Sequence, residues 1–283
     1  MRLGAAFTGR AQFLGFSYGA KLVGTVLPSS KTVHVKLSED SIFGFPYGDA
    51  YWGRLFDTSQ TYEPDVQNFM KLVSGSDHAF IDCGANFGFM SIIASSAEGG
   101  SCPTLAIEAD RSNFDRLCAN RELNGNRFDV QHNALFSESG IDVSVFGTKH
   151  EAFSIVEKHG PSRGSVKTLA IGDLSDWLAS TNRSRAMIKL DVEGAENAAI
   201  DGIGNLAGGD VILIYEDHGS DRQHSVTRHL QEKHGYRTFL FQNDKVTEVT
   251  DYADLGKIKV SRRYGYDFIA TKSPYWLDRL ERL

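Results

Sequence analysis

Three short segments hold the residue types best suited to chemistry. The first, Asp82-Cys83-Gly84-Ala85-Asn86-Phe87-Gly88, follows an apolar run and precedes a helical one. A glycine at a strand-to-helix turn allows a tight bend and a close approach of ligand to backbone. The N–H groups at the following helix start favour an anionic group, and Asp82, at the strand end, is placed to meet a cationic one. The turn is not the dinucleotide fingerprint, because Asn86 stands where the second glycine of G-x-G-x-x-G belongs. Many α/β proteins use such a turn only for packing. The second segment ends in Glu108, a carboxylate of the kind that accepts hydrogen bonds from ribose hydroxyls at a strand end. Alone it reads equally well as a solvated strand terminus. In the third, Lys189-Leu190-Asp191-Val192-Glu193-Gly194-Ala195-Glu196, Asp191 closes an apolar run. The bland alternative is a helix start decorated with acids that complement its dipole, which accounts for Glu196.

A group that takes a proton from a reacting hydroxyl must sit at the rim of such a site. Asp191 is the first candidate, with Glu193, Glu216 and His218 behind it. The same groups offer oxygen ligands for Mg²⁺, but their spacing matches no metal loop, and no metal is expected. His224, His229 and His234 recur at every fifth residue, whereas zinc pairs on a helix use i, i+4. They read as a solvated helix surface.

The elements that must position these groups alternate in type. Strands are expected at Ala79–Cys83, Thr104–Glu108, Arg127–Ala134, Ala186–Asp191, Val211–Glu216, Thr238–Phe241 and Tyr266–Thr271. Helices are expected at Glu63–Leu72 with Pro64 in its first turn, Phe87–Ser96, Asp110–Asn124 closed by Gly125, Ala195–Ile203 and Ser225–His234. Ile141–Phe146 and Val166–Ala170 look like an excursion of extra strands. The alternation points to a doubly wound α/β fold on a mainly parallel sheet, and ligands of such folds lie at the carboxyl ends of the strands.

In this order and spacing the three segments, FIDCGANFG, AIEAD and KLDVEGAE, resemble the FkbM family of methyltransferases. Tyr62-Glu63-Pro64-Asp65 resembles the family's Y-E-P-E element, and Asn113, Asn120 and Asn133-Ala134-Leu135 fall where the family has an Asn-rich helix and an N-A-L strand end. Ala109-Asp110 departs from the family, which often has a Pro after its Glu. The likeness covers roughly Tyr62 to Glu216. It implies a class I methyltransferase (Rossmann-like) sheet with an antiparallel last strand, and S-adenosylmethionine as cofactor. It further implies cofactor contacts from Glu63, Asp82, Gly84, Asn86, Phe87, Gly88, Glu108, Ala109, Asn133, Ala134 and Asp191. Asp191, Glu193 and His218 are then the catalytic candidates, and the acceptor is a hydroxyl of a sugar, polysaccharide or secondary metabolite.

The chain has 283 residues, 41% hydrophobic and 23% charged, enough for a packed core. Its net charge of −6 argues against a general nucleic-acid binder. Three cysteines fit reduced thiols in a cytoplasmic compartment. No apolar run is long enough to span a bilayer. From Met1 to Ser38 there are basic residues and no acidic ones. That segment reads either as an extension packed on the catalytic domain or as a basic amphipathic contact with anionic lipid or an anionic substrate carrier. The expected organisation is an N-terminal extension over 1–60, a methyltransferase domain over 61–272 and a C-terminal tail over 273–283. Two rival readings are a non-catalytic binding or scaffold protein on the same fold and a nicotinamide-dependent oxidoreductase. The first predicts loss of the site residues, and the second predicts a glycine fingerprint that is missing.

Overall fold

The computed structural model describes residues 31–56, 62–156, 160–243, 245–262 and 265–283. The basic run expected to contact lipid or domain lies, up to residue 30, outside the described residues. No helix among the described residues is long and apolar enough to cross a membrane.

The described residues open with a hairpin of β1 (Thr32–Lys36) and β2 (Ile42–Pro46), followed by a 3-10 turn at Trp52–Phe56. The alternating region runs through α1 (Pro64–Val73), β3 (His78–Cys83), α2 (Phe89–Ser95), β4 (Thr104–Glu108), α3 (Arg111–Leu123) and β5 (Asp129–His132). A flap of β6 (Ala134–Leu135), β7 (Asp142–Phe146) and β8 (Ser162–Leu169) follows. Then come α4 (Ser175–Ser180), β9 (Arg185–Leu190), α5 (Glu196–Asp201), β10 (Val211–Glu216) and α6 (Ser225–Arg228), which continues as a π turn over His229–Lys233. The chain ends with β11 (Arg237–Gln242), β12 (Lys245–Glu248), α7 (Tyr252–Ile258), β13 (Asp267–Thr271) and α8 (Pro274–Leu280).

Among the described residues the central sheet has eight strands in the order β12-β11-β13-β10-β9-β3-β4-β5. β5, β4, β3, β9 and β10 are parallel, while β13 runs antiparallel between β10 and β11. This is the class I methyltransferase arrangement, with its late strand inserted in reverse. Period-two alternation divides each central strand between two cores. Phe80, Ala106, Met187, Ile212 and Ile269 face the layer of α1, α2 and α8. Ile81, Ile107, Ile188, Leu213 and Phe268 face the layer of α4 to α7. Full burial on both faces is why these strands read as continuous apolar runs.

Asparagines fasten the N-terminal hairpin to the domain. Asn120 on α3 accepts from Gly44 N (2.8 Å) and donates to Gly44 O (2.9 Å). Asn124 makes the same pair with Ile42, accepting at 2.9 Å and donating at 2.7 Å. Each side-chain amide therefore continues the strand ladder, satisfying edge groups of β2 that burial would otherwise leave unpaired. Asn120, one of the asparagines that carried the family resemblance, and Asn124 thus hold residues 42–44 on the catalytic domain, and the chain that follows them reaches the site.

Three expectations change in detail. The third strand does not run unbroken to Ala134: β5 stops at His132, and β6 turns away to pair with β8. The last residues hold the helix α8, N-capped by Ser273 and carrying Trp276 (0% exposed) into the core. The helix after Ser225 changes its winding at His229.

Candidate active site

The carboxyl ends of the strands meet at one rim and supply its acids. β3 brings Asp82, β4 Glu108, β9 leads to Asp191, and β10 ends in Glu216. Because β13 is reversed, its first residue, Asp267, pairs with Glu216 at the same end. Asp267 was not among the expected site residues, although the antiparallel last strand that the family resemblance implies starts at this rim.

Among the described residues, Lys189 is the cation that answers these carboxylates. Lys189 is nearly buried, with its ammonium 3.1 Å from Asp191 Oδ2 and 3.4 Å from Glu63 Oε2. Burial opposes its charge, but Asp191, Glu63, Asp267 and Asp82 together raise its pKa well above the ordinary lysine value. Glu63 is positioned by a left-handed N-cap (φ 44°), which Pro64 follows at the first turn of α1. The carboxyls pay for burial differently. Burial first, then repulsion from Asp191, Asp267 and Glu193, pushes Glu216 up to about 9. Burial and the negative charge of Glu63 push Asp267 up to about 8. Asp82 rises to about 6, chiefly by burial, although Lys189 and a hydrogen bond from Ser91 Oγ oppose this.

The Gly84 turn is shaped by packing as much as by a ligand. A Cβ at Gly84 would lie 1.8 Å from the Asp191 carbonyl oxygen, and its φ is +81°. The backbone that approaches this glycine is therefore that of the Asp191 loop. The N–H groups of Gly84 and Ala85 donate to Ile107 O, that of Gly88 to Ala85 O, and that of Asn86 to Glu108 Oε2. The expected anion-binding N–H groups are thus engaged within the protein at these four positions. Glu108 has a double part: Oε2 accepts from Asn86 N and Oε1 from Asp110 N, both at 2.8 Å. Burial nevertheless raises its pKa to about 7.

A cleft of about 990 Å³, measured out to its mouth, opens above these strand ends. Glu63, Asp82, Gly84, Asn86, Glu108, Ala109, Asn133, Ala134, Asp191 and Glu193 all line it. Phe87 and Gly88 do not, contrary to the contacts expected of them. Phe87 is buried and stacks on His150 at 4.8 Å, and Gly88 caps α2 with Leu117 packed where its Cβ would be. His218 is also absent from this cleft, and lines a second cavity beside it.

Two walls of the cleft come from residues that were not among the expected cofactor contacts. Tyr51, Trp52 and Tyr62 form an aromatic wall with Phe89; Trp52 stacks on Phe89 at 5.6 Å, and the Tyr51 and Tyr62 hydroxyls are 3.0 Å apart. Residues 51 and 52 fall in the expected N-terminal extension, and the Asn120 and Asn124 clamps, with the contacts of Trp52 to Phe89 and Asp49 to His150, bring them here. The loop after β7 supplies His150. Its carbonyl accepts from the side-chain amides of Asn86 (2.8 Å) and Asn113 (2.9 Å), while its Nε2 meets Asp49 at 2.9 Å. Among the described residues, two buried oxygens on the cleft wall have no hydrogen-bond partner, Asn86 Oδ1 and Glu63 Oε2, the latter held only by its 3.4 Å ion pair with Lys189. Unsatisfied buried acceptors of this kind suit a donor-rich ligand.

The sequence matches the methyltransferase FkbM domain over residues 82–238, more than half of the chain. No protein of curated function matches it significantly. Among solved structures, the chain is similar to the precorrin-6y C5,15-methyltransferase of Geobacter metallireducens GS-15, at 15% identity and TM-score 0.43, over 77% of this chain and 95% of that one. It is also similar to the FkbM methyltransferase of Methylobacillus flagellatus KT, at 15% identity and TM-score 0.41, over 69% of this chain and 43% of that one. An O-methyltransferase of Bacillus cereus solved with SAH is 12% identical, with TM-score 0.42, over 91% of this chain and 97% of that one. None of these likenesses carries the assignment, which rests on the domain match and on the strand order. The chain belongs to the FkbM family of S-adenosylmethionine-dependent methyltransferases.

Proposed function

We propose that the chain methylates a hydroxyl oxygen of a neutral, polyhydroxylated small molecule such as a sugar. The observation that carries this reading is the pairing of two adjoining cavities. Asp191, Glu193 and Glu216 line both the cleft above the strands and the second cavity beside it. A donor in the first and an acceptor in the second would meet at these carboxylates. The second cavity adds Glu196 and Asp221, against Lys149 on the basic side. That charge balance repels phosphate or carboxylate groups on an acceptor, and it offers hydrogen-bond acceptors to hydroxyls.

The residues present fit the methyl donor. Glu108 stands at the strand end where ribose hydroxyls are met. Glu63 and Asp82 offer negative charge for an amino group, Asn86 Oδ1 is an unused acceptor, and Ala109, Asn133 and Ala134 line the wall beyond Glu108. Bound there, S-adenosylmethionine supplies a methyl group already activated by its sulfonium charge. What the protein must add is orientation, exclusion of water and a place for the proton. Tyr51, Trp52 and Tyr62 roof the cleft against water. Of the shared carboxylates, Asp191 is engaged by the Lys189 ammonium. Glu216 is the more basic group, because burial and neighbouring acids disfavour its charge. In this reading Glu216 takes the hydroxyl proton and replaces Asp191 as first candidate, with Asp191 holding Lys189 in place.

Calorimetric titration with S-adenosylhomocysteine, followed by methyl-transfer assays on neutral sugars, uronic acids, sugar phosphates and amines, tests the reading. Cofactor binding with O-methylation of neutral sugars supports it. Product formed only on nitrogen, or only on anionic acceptors, refutes it.

A further inference from the structure

At the C-terminal end of α5, away from the end that lines the second cavity, three side chains converge that neither the cleft nor the second cavity uses. Asp201 ends α5, and its Oδ1 lies 2.8 Å from His229 Nε2 and 2.8 Å from His234 Nε2. One ligand atom from each of the three falls within 4.8 Å of the others. Residues five apart on a regular α-helix point about 140° away from each other. Here the π turn over His229–Lys233 underwinds the chain locally, so that i and i+5 come closer to sharing a face. The imidazole rings end with centroids 5.1 Å apart. The expectation that the fifth-residue spacing leaves these histidines as a solvated surface therefore fails for His229 and His234. The third, His224, is buried against the Lys259 ammonium at 3.0 Å.

A π turn inside an α-helix gives up regular packing, and such turns gather at functional positions. The cluster already attracts positive charge, since the Lys233 ammonium lies 2.8 and 2.9 Å from the two Asp201 oxygens. Lys233 is largely exposed on a flexible stem, so it can swing to solvent without disturbing the core. Two imidazole nitrogens and one carboxylate oxygen on a partly open surface form a borderline-soft donor set. That set favours a divalent transition ion over Mg²⁺ or Ca²⁺. Tetrahedral zinc with bonds near 2.0 Å needs ligand atoms about 3.3 Å apart. The present separations require only small outward shifts of surface side chains.

We propose that Asp201, His229 and His234 form a zinc-class metal site in which Lys233 acts as a built-in competitor for the cation. The ion ties the C-terminal end of α5 to the turn after α6. Because α5 follows the loop that carries Asp191 and Glu193, the metal fastens the scaffold behind that loop and takes no part in methyl transfer.

Titration of the metal-free full chain with ZnCl₂, read by calorimetry and by thermal shift, tests this. Wild type should bind one ion and gain thermal stability. Asp201→Ala and His234→Ala should each weaken binding more than about tenfold. Lys233→Ala should tighten it, because it removes the competing charge while leaving all three ligands. Affinity for S-adenosylhomocysteine, measured in the same samples, should stay unchanged in Lys233→Ala. Absence of zinc binding in wild type, unchanged zinc affinity in His234→Ala, or weaker binding in Lys233→Ala would each overturn the proposal.

Discussion

Replacing Lys189 with methionine removes the buried cation that, among the described residues, faces Glu63, Asp82, Asp191 and Asp267, and keeps the apolar stem. The ammonium lies 3.1 Å from Asp191 and 3.4 Å from Glu63. At an effective dielectric constant of about 20, each contact is worth about 5 kcal/mol of gross attraction. Desolvation of the three groups offsets most of this, so the pairs add little net stability while intact. Removing one partner is different, because the carboxylates stay buried without compensation, at a cost of about 3–5 kcal/mol. For a chain of this size each kcal/mol moves Tm by about 2–4 °C, so Lys189→Met should lower Tm by about 6–20 °C. The loss must depend on pH. Without the ammonium the facing carboxyls hold protons more tightly in the folded state than in wild type. The variant therefore recovers stability relative to wild type as pH falls, and the gap is widest at neutral to alkaline pH. Thermal unfolding of both proteins from pH 5 to pH 9 measures this directly. A Tm within about 2 °C of wild type, or a gap that widens on acidification, would show that Lys189 does not neutralise this cluster.

Other outcomes follow from the same geometry. Glu216→Gln should reduce turnover about 10²-fold or more with little change in cofactor affinity. Wild-type turnover should rise with pH toward about 9, where Glu216 ionises; steady-state rates across pH decide, and an unaltered rate in the variant removes Glu216 as base. Folded Asp267 and Glu216 have pKa values raised to about 8 and about 9 from 3.8 and 4.5, so the folded chain binds protons more tightly than the unfolded one. Stability should accordingly fall as pH rises from about 4 toward 9, and Asp267→Asn should flatten that slope in denaturant titrations. Glu108→Gln sets an amide donor against one of two buried backbone N–H groups; it should cost about 1–3 kcal/mol and weaken binding of S-adenosylhomocysteine in calorimetry. Gly84→Ala places a Cβ on the Asp191 carbonyl at positive φ. A loss of at least about 3 kcal/mol is expected in chemical unfolding, and a near-neutral effect would mean the two loops separate easily.

The sequence by itself determined the order of the sheet's main strands and the segments that meet at their carboxyl ends. Those signals are local: apolar runs buried on both faces, a glycine turn, a capped helix start and carboxylates at strand ends. Thr104–Glu108 and Val211–Glu216 were legible to the residue, because continuous apolar runs leave little choice of structure. Only the tertiary structure decided what those carboxylates face. The reversal of β13 brings Asp267 beside Glu216, and Lys189 becomes the shared counter-ion because it is buried among acids from four other segments. Tyr51 and Trp52 join the cleft through asparagine clamps between residues 76 and 82 positions apart. His229 and His234 meet on Asp201 only because the helix changes its winding. Each of these depends on strand direction, long-range hydrogen bonding or a local departure from regular geometry, and none leaves a periodic trace in the sequence.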